Sequence, residues 1–351
     1  MEQPTRMQAE VESTFIGTAN HGYGQHAQEE IRRLFGQGCK FGMLVPAEIF
    51  IFTLPVDKEE ATRRLLEQEP MFLRHIQPVD ARQTWNGGSM DELVELVRTT
   101  KVLSLEEGAA TAVQVRKTEQ VGSELSPAGC KQAIDQVLAE RFGTVAVVKD
   151  AKWTVSVYLT AAEVYLGLSR PEHNLSDWSG GAIRFRKEEG QVSRAKFKLL
   201  EAERVFGLDF SQYRSAIDIG AAPGGWTSLL LERGLRVTAV DPAKLDKELL
   251  RNPRLTFLQK NAGDVKFPEN SFDLLVCDMS WSPRQMARLV KELLYALQSG
   301  GTAVITVKLL HKKPFQTVRE MLEDVQPELM LQKAKQLFHN REELTLFLVK
   351  A

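Results

Sequence analysis

A glycine-rich turn, followed by an acidic residue, predicts a ligand-binding site. The turn runs from Asp218 to Thr227, and its small residues let a ligand approach the backbone. Its spacing is not the G-x-G-x-x-G of dinucleotide sites, and Pro223 removes an amide donor that a pyrophosphate would use. Asp241 follows about 20 residues later, where a carboxylate can accept hydrogen bonds from both ribose hydroxyls. The pair predicts an adenosyl ligand without a diphosphate. The alternative is a turn that only connects strand to helix, with Asp241 as a helix cap.

Two polar residues end later predicted strands. Asp278 follows a central strand, at the edge where ligands bind in open α/β sheets. Lys308 ends the next strand, although a lysine in this position is usually a solvated charge. Cys277 could be a nucleophile, but strand alternation points it away from Asp278, so we predict a buried thiol. His311 and His339 lack partners at metal-ligand spacing, so we predict no metal there and surface or partner-facing roles.

The second half of the chain must position these residues. From about Ser215, short β-branched runs alternate with amphipathic helices, which is typical of repeated βαβ units. We therefore predict an α/β fold with a doubly wound, mostly parallel sheet and an antiparallel terminal strand. A glycine pair, Gly300–Gly301, is expected to end the helix that starts at Pro283. The strands are predicted at 215–219, 236–240, 255–259, 272–277, 302–307, 330–336 and 344–349, and further helices at 226–233 and 315–325.

The first half is less regular and predicts a small α+β module. Strand-like runs and one helix are recognisable there. A stretch rich in Pro, Asn, Ser and Gly then indicates a linker or an ordered loop between domains. We predict three segments, at 1–170, 171–190 and 191–351. The strand-like runs of the first half are 49–54, 111–116, 144–148 and 153–159, and the helix is 127–141.

Composition sets the broad class of the protein. The 351 residues are 43% hydrophobic and 26% charged, which is ordinary for globular domains. The formal net charge of -1 does not indicate a polyanionic partner, although a local basic surface remains open. Neither a bilayer-length apolar run nor a signal-peptide core is present, so we expect a soluble, cytoplasmic protein without a membrane partner. The three scattered cysteines predict neither a disulfide framework nor a zinc site. A monomer is favoured over an oligomer.

Four motifs together resemble the FtsJ-like ribosomal RNA 2′-O-ribose methyltransferases. Across the whole chain, the sequence is most similar to the bacterial 23S rRNA cytidine 2′-O-methyltransferases that carry an amino-terminal THUMP domain. The resemblance implies a Rossmann-like class I methyltransferase domain, S-adenosyl-L-methionine as cofactor, RNA as partner, and an RNA-binding first segment made of a ferredoxin-like part and a THUMP-like domain. The motifs are Asp218 to Thr227, Ser193 to Leu199, Cys277-Asp278-Met279 and Val307-Lys308-Leu309, with Gln336 to Glu343 as a terminal signature.

The resemblance also implies site residues. The catalytic tetrad Lys-Asp-Lys-Glu falls on Lys198, Asp278, Lys308 and Glu343, with Lys196 as a decoy and Glu342 as an alternative acid. Asn261 replaces the usual aspartate at the adenine, and its carbonyl can accept the same hydrogen bond. The implied cofactor contacts are Ser193, Ala222, Pro223, Gly224, Gly225, Trp226, Asp241, Asn261 and Asp278.

A lysine general base requires a neutral amine. At the ordinary pKa of about 10.4, fewer than roughly one lysine in a thousand is neutral at pH 7. Burial and a second cation both favour the neutral form, and a pair of lysines would supply the second cation. Lys198 near Lys308 therefore makes mechanistic sense, with Asp278 orienting Lys308.

A locally basic stretch precedes and includes the first tetrad lysine. The stretch, interleaved with Phe185 and Phe197, could bind phosphates and stack bases, although a solvated linker face is the alternative. The leading hypothesis is a 23S rRNA cytidine 2′-O-methyltransferase. Its rivals are a methyltransferase of another RNA, such as tRNA, and a non-catalytic RNA-binding ribosome assembly factor. The Asp278-Met279-Ser280-Trp281 stretch lacks the Pro-Pro-aromatic motif of base-amine methylation. The predicted RNA contacts are Arg184, Arg186, Arg194, Lys196 and Lys312.

Overall fold

The computed structural model describes residues 11–85, 88–186, 192–309 and 313–351. It divides into two compact units, Met1–Ala182 and Ile183–Ala351. The division lies inside the segment 171–190 that we interpreted as a linker. Short 3-10 helices at Pro171–Asn174 and Ser179–Gly181 belong to the first unit, so that part of the predicted linker is ordered structure.

The first unit begins with a four-stranded antiparallel sheet and two helices. Its strand order is β2-β3-β1-β4, and all neighbours are antiparallel. This is the βαββαβ arrangement of the ferredoxin-like motif. In β3 the side chains of Phe50 and Phe52 are buried on one face because strand residues alternate between the two faces. The elements are β1 (Ser13–Thr18), α1 (Gly24–Phe35), β2 (Lys40–Val45), β3 (Ile49–Leu54), α2 (Lys58–Gln68) and β4 (His75–Pro78).

A second, five-stranded sheet completes this unit. Its order is β5-β9-β8-β6-β7, with β6 parallel to β7 and β8, and β9 antiparallel to β5 and β8. The strand predicted at 144–148 is wrong in extent, because only two residues pair while Val145 and Val148 are exposed at the sheet edge. The elements are β5 (Ala81–Thr84), α3 (Met90–Thr99), β6 (Ala110–Lys117), α4 (Pro127–Phe142), β7 (Val145–Ala146), β8 (Trp153–Leu159) and β9 (Glu163–Ser169).

The second unit contains one seven-stranded sheet of order β12-β11-β10-β13-β14-β16-β15. The first five of these strands are parallel, and β16 runs antiparallel to both of its neighbours. The predicted mostly parallel sheet with an antiparallel terminal strand is confirmed. Its elements are α5 (Lys196–Phe206), β10 (Ser215–Ile219), α6 (Gly225–Glu232), β11 (Arg236–Val240), β12 (Leu255–Leu258), β13 (Phe272–Cys277), α7 (Pro283–Leu293), β14 (Leu297–Lys308), α8 (Pro314–Val325), β15 (Leu329–Lys335) and β16 (Glu343–Lys350).

The prediction that Gly300–Gly301 ends the helix that starts at Pro283 is wrong. Helix α7 ends at Leu293 and is followed by a 3-10 turn, and the glycine pair lies inside β14. The register of β14 against β13 jumps there, from Leu297 opposite Phe272 to Thr302 opposite Leu274. Gly300 has φ +74°, a conformation that favours glycine, so the pair forms an irregularity in the strand.

No helix in the described part of the chain is both long and apolar enough to cross a membrane.

Candidate active site

The carboxyl ends of the parallel strands meet at one edge of the second unit's sheet. The strand order reverses between β10 and β13, which is where open α/β sheets form their ligand crevice. A cleft of about 400 Å³ lies at this edge. It is lined by Ile219, Gly220, Ala222, Val240, Asp241, Pro242, Asn261, Ala262, Asp278, Met279, Ser280 and Trp281.

Gly220 and Ala222 of the glycine-rich turn form part of the cleft floor. Gly220 has φ +76°, and a Cβ atom there would approach the Met279 Cγ atom to 2.4 Å. Gly224 has φ +117° and precedes α6, and its Cβ would lie 2.2 Å from Leu249 Cδ1. Both positions therefore need glycine for conformation and for space, because side chains of the protein approach them closely. The approach of a ligand to this turn stays a prediction.

Asp241 follows β11 and lies partly buried at the cleft. Its Oδ2 accepts a hydrogen bond from the Ala222 amide at 3.0 Å, and its Oδ1 accepts one from the Ala243 amide at 2.7 Å. A carboxylate has about four acceptor positions, so two hydroxyl groups can still donate to it. The amide of Ala222 therefore ties the glycine turn to the acid predicted to hold a ribose.

Asp218 lies beneath the glycine turn, on β10, and is 1% exposed. The Thr227 hydroxyl donates to its Oδ2 at 2.6 Å. Burial raises the pKa of Asp218 to about 7, and the negative charges of Asp278 and Asp241 add to the rise, while the Thr227 hydrogen bond opposes it. Asp218 is thus a structural group that a proton neutralises near pH 7.

A compact cluster of charged side chains surrounds Asp278. The ammonium of Lys198, on α5, donates to Asp278 Oδ1 at 3.1 Å and to Oδ2 at 3.2 Å. The same Nζ lies 3.8 Å from Glu343 Oε1. The fully buried Thr306 hydroxyl donates to Asp278 Oδ1 at 2.7 Å. Lys198 and Thr306, which are 80 and 28 positions from Asp278 in sequence, therefore meet at its carboxylate.

Lys308 joins the same face of the sheet. It lies two residues after Thr306 on β14, so their side chains point to the same face. It is also directly opposite Glu343 in the register of β14 and β16, a position in which side chains are neighbours. Lys308 is exposed, and no described residue forms a hydrogen bond or ion pair with its ammonium. The lysine predicted as base is therefore accessible beside the cleft.

The choice between the two acids of the terminal signature is supported by their positions. Glu343 approaches Lys198, and its Oε2 accepts the Arg341 amide at 2.8 Å. Glu342 is exposed, and its carbonyl accepts the Leu309 amide at 2.7 Å. The preceding loop is fixed to α5, because the buried Glu201 carboxylate accepts the amides of Phe338 and His339 at 2.7 and 2.9 Å.

Residues 191–326 match the family model described as FtsJ-like methyltransferase. This part of the chain is therefore similar to the FtsJ-like methyltransferases. The family match covers α5 through α8, and therefore includes the cleft, Asp278 and Lys308.

Several similar proteins bear the name "Ribosomal RNA large subunit methyltransferase M". The Halorhodospira halophila protein is 37% identical over 173 residues, which cover 48% of this chain and 50% of that protein. The Psychromonas ingrahamii protein is 35% identical over 206 residues, covering 54% of each. The Marinomonas sp. protein is 29% identical over 314 residues, covering 83% and 85%. The chain thus spans about half the length of the first two relatives in these matches.

The predicted cofactor contacts fall into two groups, those that line the cleft and those that do not. Ala222, Asp241, Asn261 and Asp278 line the cleft, whereas Ser193, Pro223, Gly224, Gly225 and Trp226 do not. Trp226 is 2% exposed in the core of the domain, and its indole donates to the Ala195 carbonyl at 2.8 Å. Its side chain therefore has a structural role, contrary to the prediction of a cofactor contact.

Asn261 keeps its acceptor available. Its Nδ2 donates to Asp264 Oδ2 at 3.2 Å, so the side-chain carbonyl is the group left to accept a hydrogen bond.

Some of the RNA contacts predicted on the second unit are exposed and one is buried. Arg184, Arg186 and Arg194 are exposed. Lys196 is buried and forms an ion pair with Glu232 at 2.8 Å, so its prediction as an RNA contact is wrong. Lys312 lies outside the described residues.

The aromatic residues predicted to stack bases stack on one another instead. Phe185 lies with its ring centroid 5.6 Å from those of Phe197 and His339, and Phe197 lies 5.3 Å from His339. Burial lowers the pKa of His339, whose Nε2 lies 3.1 Å from the Ile183 carbonyl oxygen. His339 is therefore a neutral, partly buried member of this cluster. The surface position that we predicted is wrong, and the partner-facing alternative stays a prediction. His311 lies outside the described residues.

Cys277 is fully buried, with its Sγ 3.3 Å from Met286 Sδ. Burial raises the pKa of this thiol well above its ordinary value, and the charges of Asp218 and Asp278 add to the rise. It is an inert core thiol, as strand alternation predicted. In the described ranges, no group of three or more His, Cys, Asp or Glu side chains is arranged to hold a metal.

We predicted no ligand contact for Met279, Ser280 or Trp281, although all three line the cleft. Their position directly after Asp278 was the available signal.

Proposed function

We propose that the chain is an S-adenosyl-L-methionine-dependent RNA 2′-O-ribose methyltransferase that modifies a cytidine of 23S rRNA. The observation that carries this proposal is the cluster of Lys198, Asp278 and Glu343, with Lys308 on the same face, beside the cleft of an FtsJ-like domain. The relatives' name, which specifies the RNA of the large ribosomal subunit, supports the class of substrate.

The cleft suits an adenosyl cofactor on two physical grounds. Asp241 offers a carboxylate whose orientation is fixed by two backbone amides, while it retains acceptor capacity for ribose hydroxyls. The close approach of Met279 to Gly220 leaves no space for a side chain on the turn. Asp241 would hold the ribose, Asn261 the adenine amino group, and Asp278 the methionine end. When bound, the cofactor supplies an electrophilic methyl group on a sulfonium.

The chain's own residues then position the nucleophile and remove its proton. In its neutral form, Lys308 accepts the proton of the ribose 2′-hydroxyl at Nζ. Lys198, which lies 3.1 Å from Asp278 Oδ1 and 3.8 Å from Glu343 Oε1, holds the Asp278 carboxylate in position. Positioning the hydroxyl in line with the methyl group supplies much of the remaining rate acceleration.

RNA binding is assigned to two parts of the chain. On the second unit, we assign it to the exposed Arg184, Arg186 and Arg194. We assign further RNA binding to the first unit, whose ferredoxin-like sheet we propose to be joined to a THUMP-like domain. The protein acts in the cytoplasm as a monomer.

The test uses purified full-length protein with tritium-labelled S-adenosyl-L-methionine and 23S rRNA from a strain that lacks the gene. Label in 2′-O-methylcytidine after digestion to nucleosides supports the proposal. Label only in tRNA, or only in a base, would replace the substrate or the reaction. Binding of both ligands with no label on naked RNA or on ribosomal precursor particles would favour the assembly-factor alternative. Lys308→Ala serves as the variant that lacks the proposed base. Lys313→Ala, which removes a neighbouring exposed lysine, is its matched control.

A further inference from the structure

Trp281 is the most exposed of the five tryptophans and lines the cleft. Its exposed fraction is 41%, compared with 2% for Trp226 and 9% for Trp85, and the other two are intermediate. A large aromatic side chain left in water next to a ligand cleft forgoes the free energy of burial. Exposed aromatic groups of this kind are typical of surfaces that a ligand covers.

The segment that carries Trp281 is fixed at both ends. On one side, Met279 packs against Gly220 of the cleft floor. On the other, Ser282 caps α7 in a capping box with Gln285, and Pro283 occupies the first turn. The indole is therefore presented by a rigid loop, which lowers the entropy lost when it stacks on a ligand.

The strand order indicates which ligand Trp281 faces. Asp241 and Asn261, which would hold the nucleoside part of the cofactor, follow β11 and β12. Trp281 follows β13, which is two strands from β11 and therefore about 10 Å away at the usual strand spacing. The strands on that side, β13 and β14, carry Asp278, Thr306 and Lys308. Trp281 is thus on the side of the cleft where the methyl group is accepted.

We propose that Trp281 stacks on the base of the target nucleotide and so orients its ribose toward Lys308. This inference rests on the proposed RNA methyltransferase function. Stacking suits the task because an RNA base taken out of its helix presents an aromatic face, and proteins commonly hold such bases on aromatic side chains. Stacking on the base would leave the 2′-hydroxyl free for Nζ of Lys308.

The first experiment measures binding and therefore does not depend on turnover. The fluorescence of Trp281 is obtained as the difference between the wild-type protein and Trp281→Phe. A single-stranded RNA oligonucleotide that contains the target cytidine should quench this difference signal, whereas S-adenosylhomocysteine alone should leave most of it. Quenching by S-adenosylhomocysteine alone, with no further change on adding RNA, would place the indole on the adenine and overturn the proposal.

The second experiment compares substitutions. Trp281→Ala should raise the KM for RNA by about 5- to 150-fold, the range for loss of one base-stacking aromatic, with unchanged affinity for S-adenosylhomocysteine. Trp281→Phe should restore most of the loss. Met330→Ala, which removes a side chain 49% exposed on the edge strand β15, is the matched control and should leave KM unchanged. An unchanged KM in Trp281→Ala would refute stacking.

These experiments distinguish an error in the proposed reaction from an error in the proposed role of Trp281. If the wild-type protein transfers no methyl group to a ribose but RNA still quenches Trp281, the reaction assignment fails while the base-stacking role stands. If methyl transfer to 2′-O-methylcytidine is found and Trp281→Ala matches the wild type in its KM for RNA, the function stands and the role of Trp281 fails.

Discussion

Two acids at the same edge of the sheet are held in different ways. Asp241 accepts hydrogen bonds from two backbone amides, Ala222 and Ala243. Asp278 accepts its hydrogen bonds from two side chains, the Thr306 hydroxyl and the Lys198 ammonium. Backbone donors are fixed by the path of the chain, whereas a side-chain donor is lost with one substitution. The nucleoside side of the cleft is therefore set by turn geometry, and the reacting side by individual residues.

Asp218 lies on the strand between these two acids and differs from both. Its carboxyl group is buried beneath the glycine turn, and within the described residues the Thr227 hydroxyl is its only side-chain donor. The pKa rise to about 7 comes first from desolvation, and the charges of Asp278 and Asp241 contribute. The three acids show that residues of one type, at one sheet edge, acquire different ionisation behaviour from their different donors.

The largest effect is expected from Lys308→Ala, because it removes the proton acceptor on the reacting side. Methyl transfer in single turnovers should slow by about 10²- to 10⁴-fold, the usual contribution of a general base. Affinity for S-adenosylhomocysteine should remain, since Lys308 does not line the cleft. Lys313→Ala should behave as wild type. A Lys308→Ala protein that methylates at the wild-type rate would remove this lysine from the mechanism.

Asp241→Ala tests the nucleoside side. It removes a carboxylate that would accept two ribose hydroxyls, so we expect a loss of about 1–3 kcal/mol in cofactor binding by calorimetry. Asp241→Asn, which keeps one oxygen, should lose less. The maximal rate at saturating cofactor should change little in both variants. Unchanged binding in Asp241→Ala would contradict the ribose contact.

Asp218→Asn tests the raised pKa of the acid that lies on the strand between Asp241 and Asp278. The folded-state pKa is about 7, whereas an unfolded aspartate titrates near 3.9. Between these values the folded protein binds a proton that the unfolded chain does not, so Asp218 makes stability fall as pH rises, by up to about 1.4 kcal/mol per pH unit. The slope should vanish above pH 7. Urea unfolding of both proteins from pH 4.5 to 8 measures the difference, and a constant difference across that range would refute the raised pKa.

Thr306→Val should give the smallest effect. It removes one of the two side-chain donors that Asp278 has among the described residues, while Lys198 continues to hold the carboxylate. We expect a loss of about tenfold or less in the maximal rate, from roughly 1 kcal/mol of positioning. Thr306→Ser should restore the rate and its pH profile. If valine and serine variants behave alike, the hydroxyl does not position Asp278.

Much of the second unit could be predicted from its sequence because its strands are short, β-branched and separated by helices with clear stripes. The predicted strands at 215–219, 236–240 and 272–277 agree with β10, β11 and β13. The first unit was predicted less completely. Strand β1 and helices α1 and α2, for example, were not identified, since β1 is stabilised by pairing with β3 and β4 rather than by a strong local pattern.

The sheet, the glycine turn and the acids at strand ends can be predicted from local patterns, because parallel strands with clear periodicity bring their carboxyl ends to one edge. Which neighbouring residues face the site depends on contacts between distant segments. Lys196 and Lys198 are two positions apart near the start of α5 and point to different partners, Glu232 and Asp278. The hydroxyl of Thr306 and the exposure of Trp281 likewise follow from contacts between distant segments. Local pattern carries no information about such contacts, since their energy is gained only when the sheet assembles.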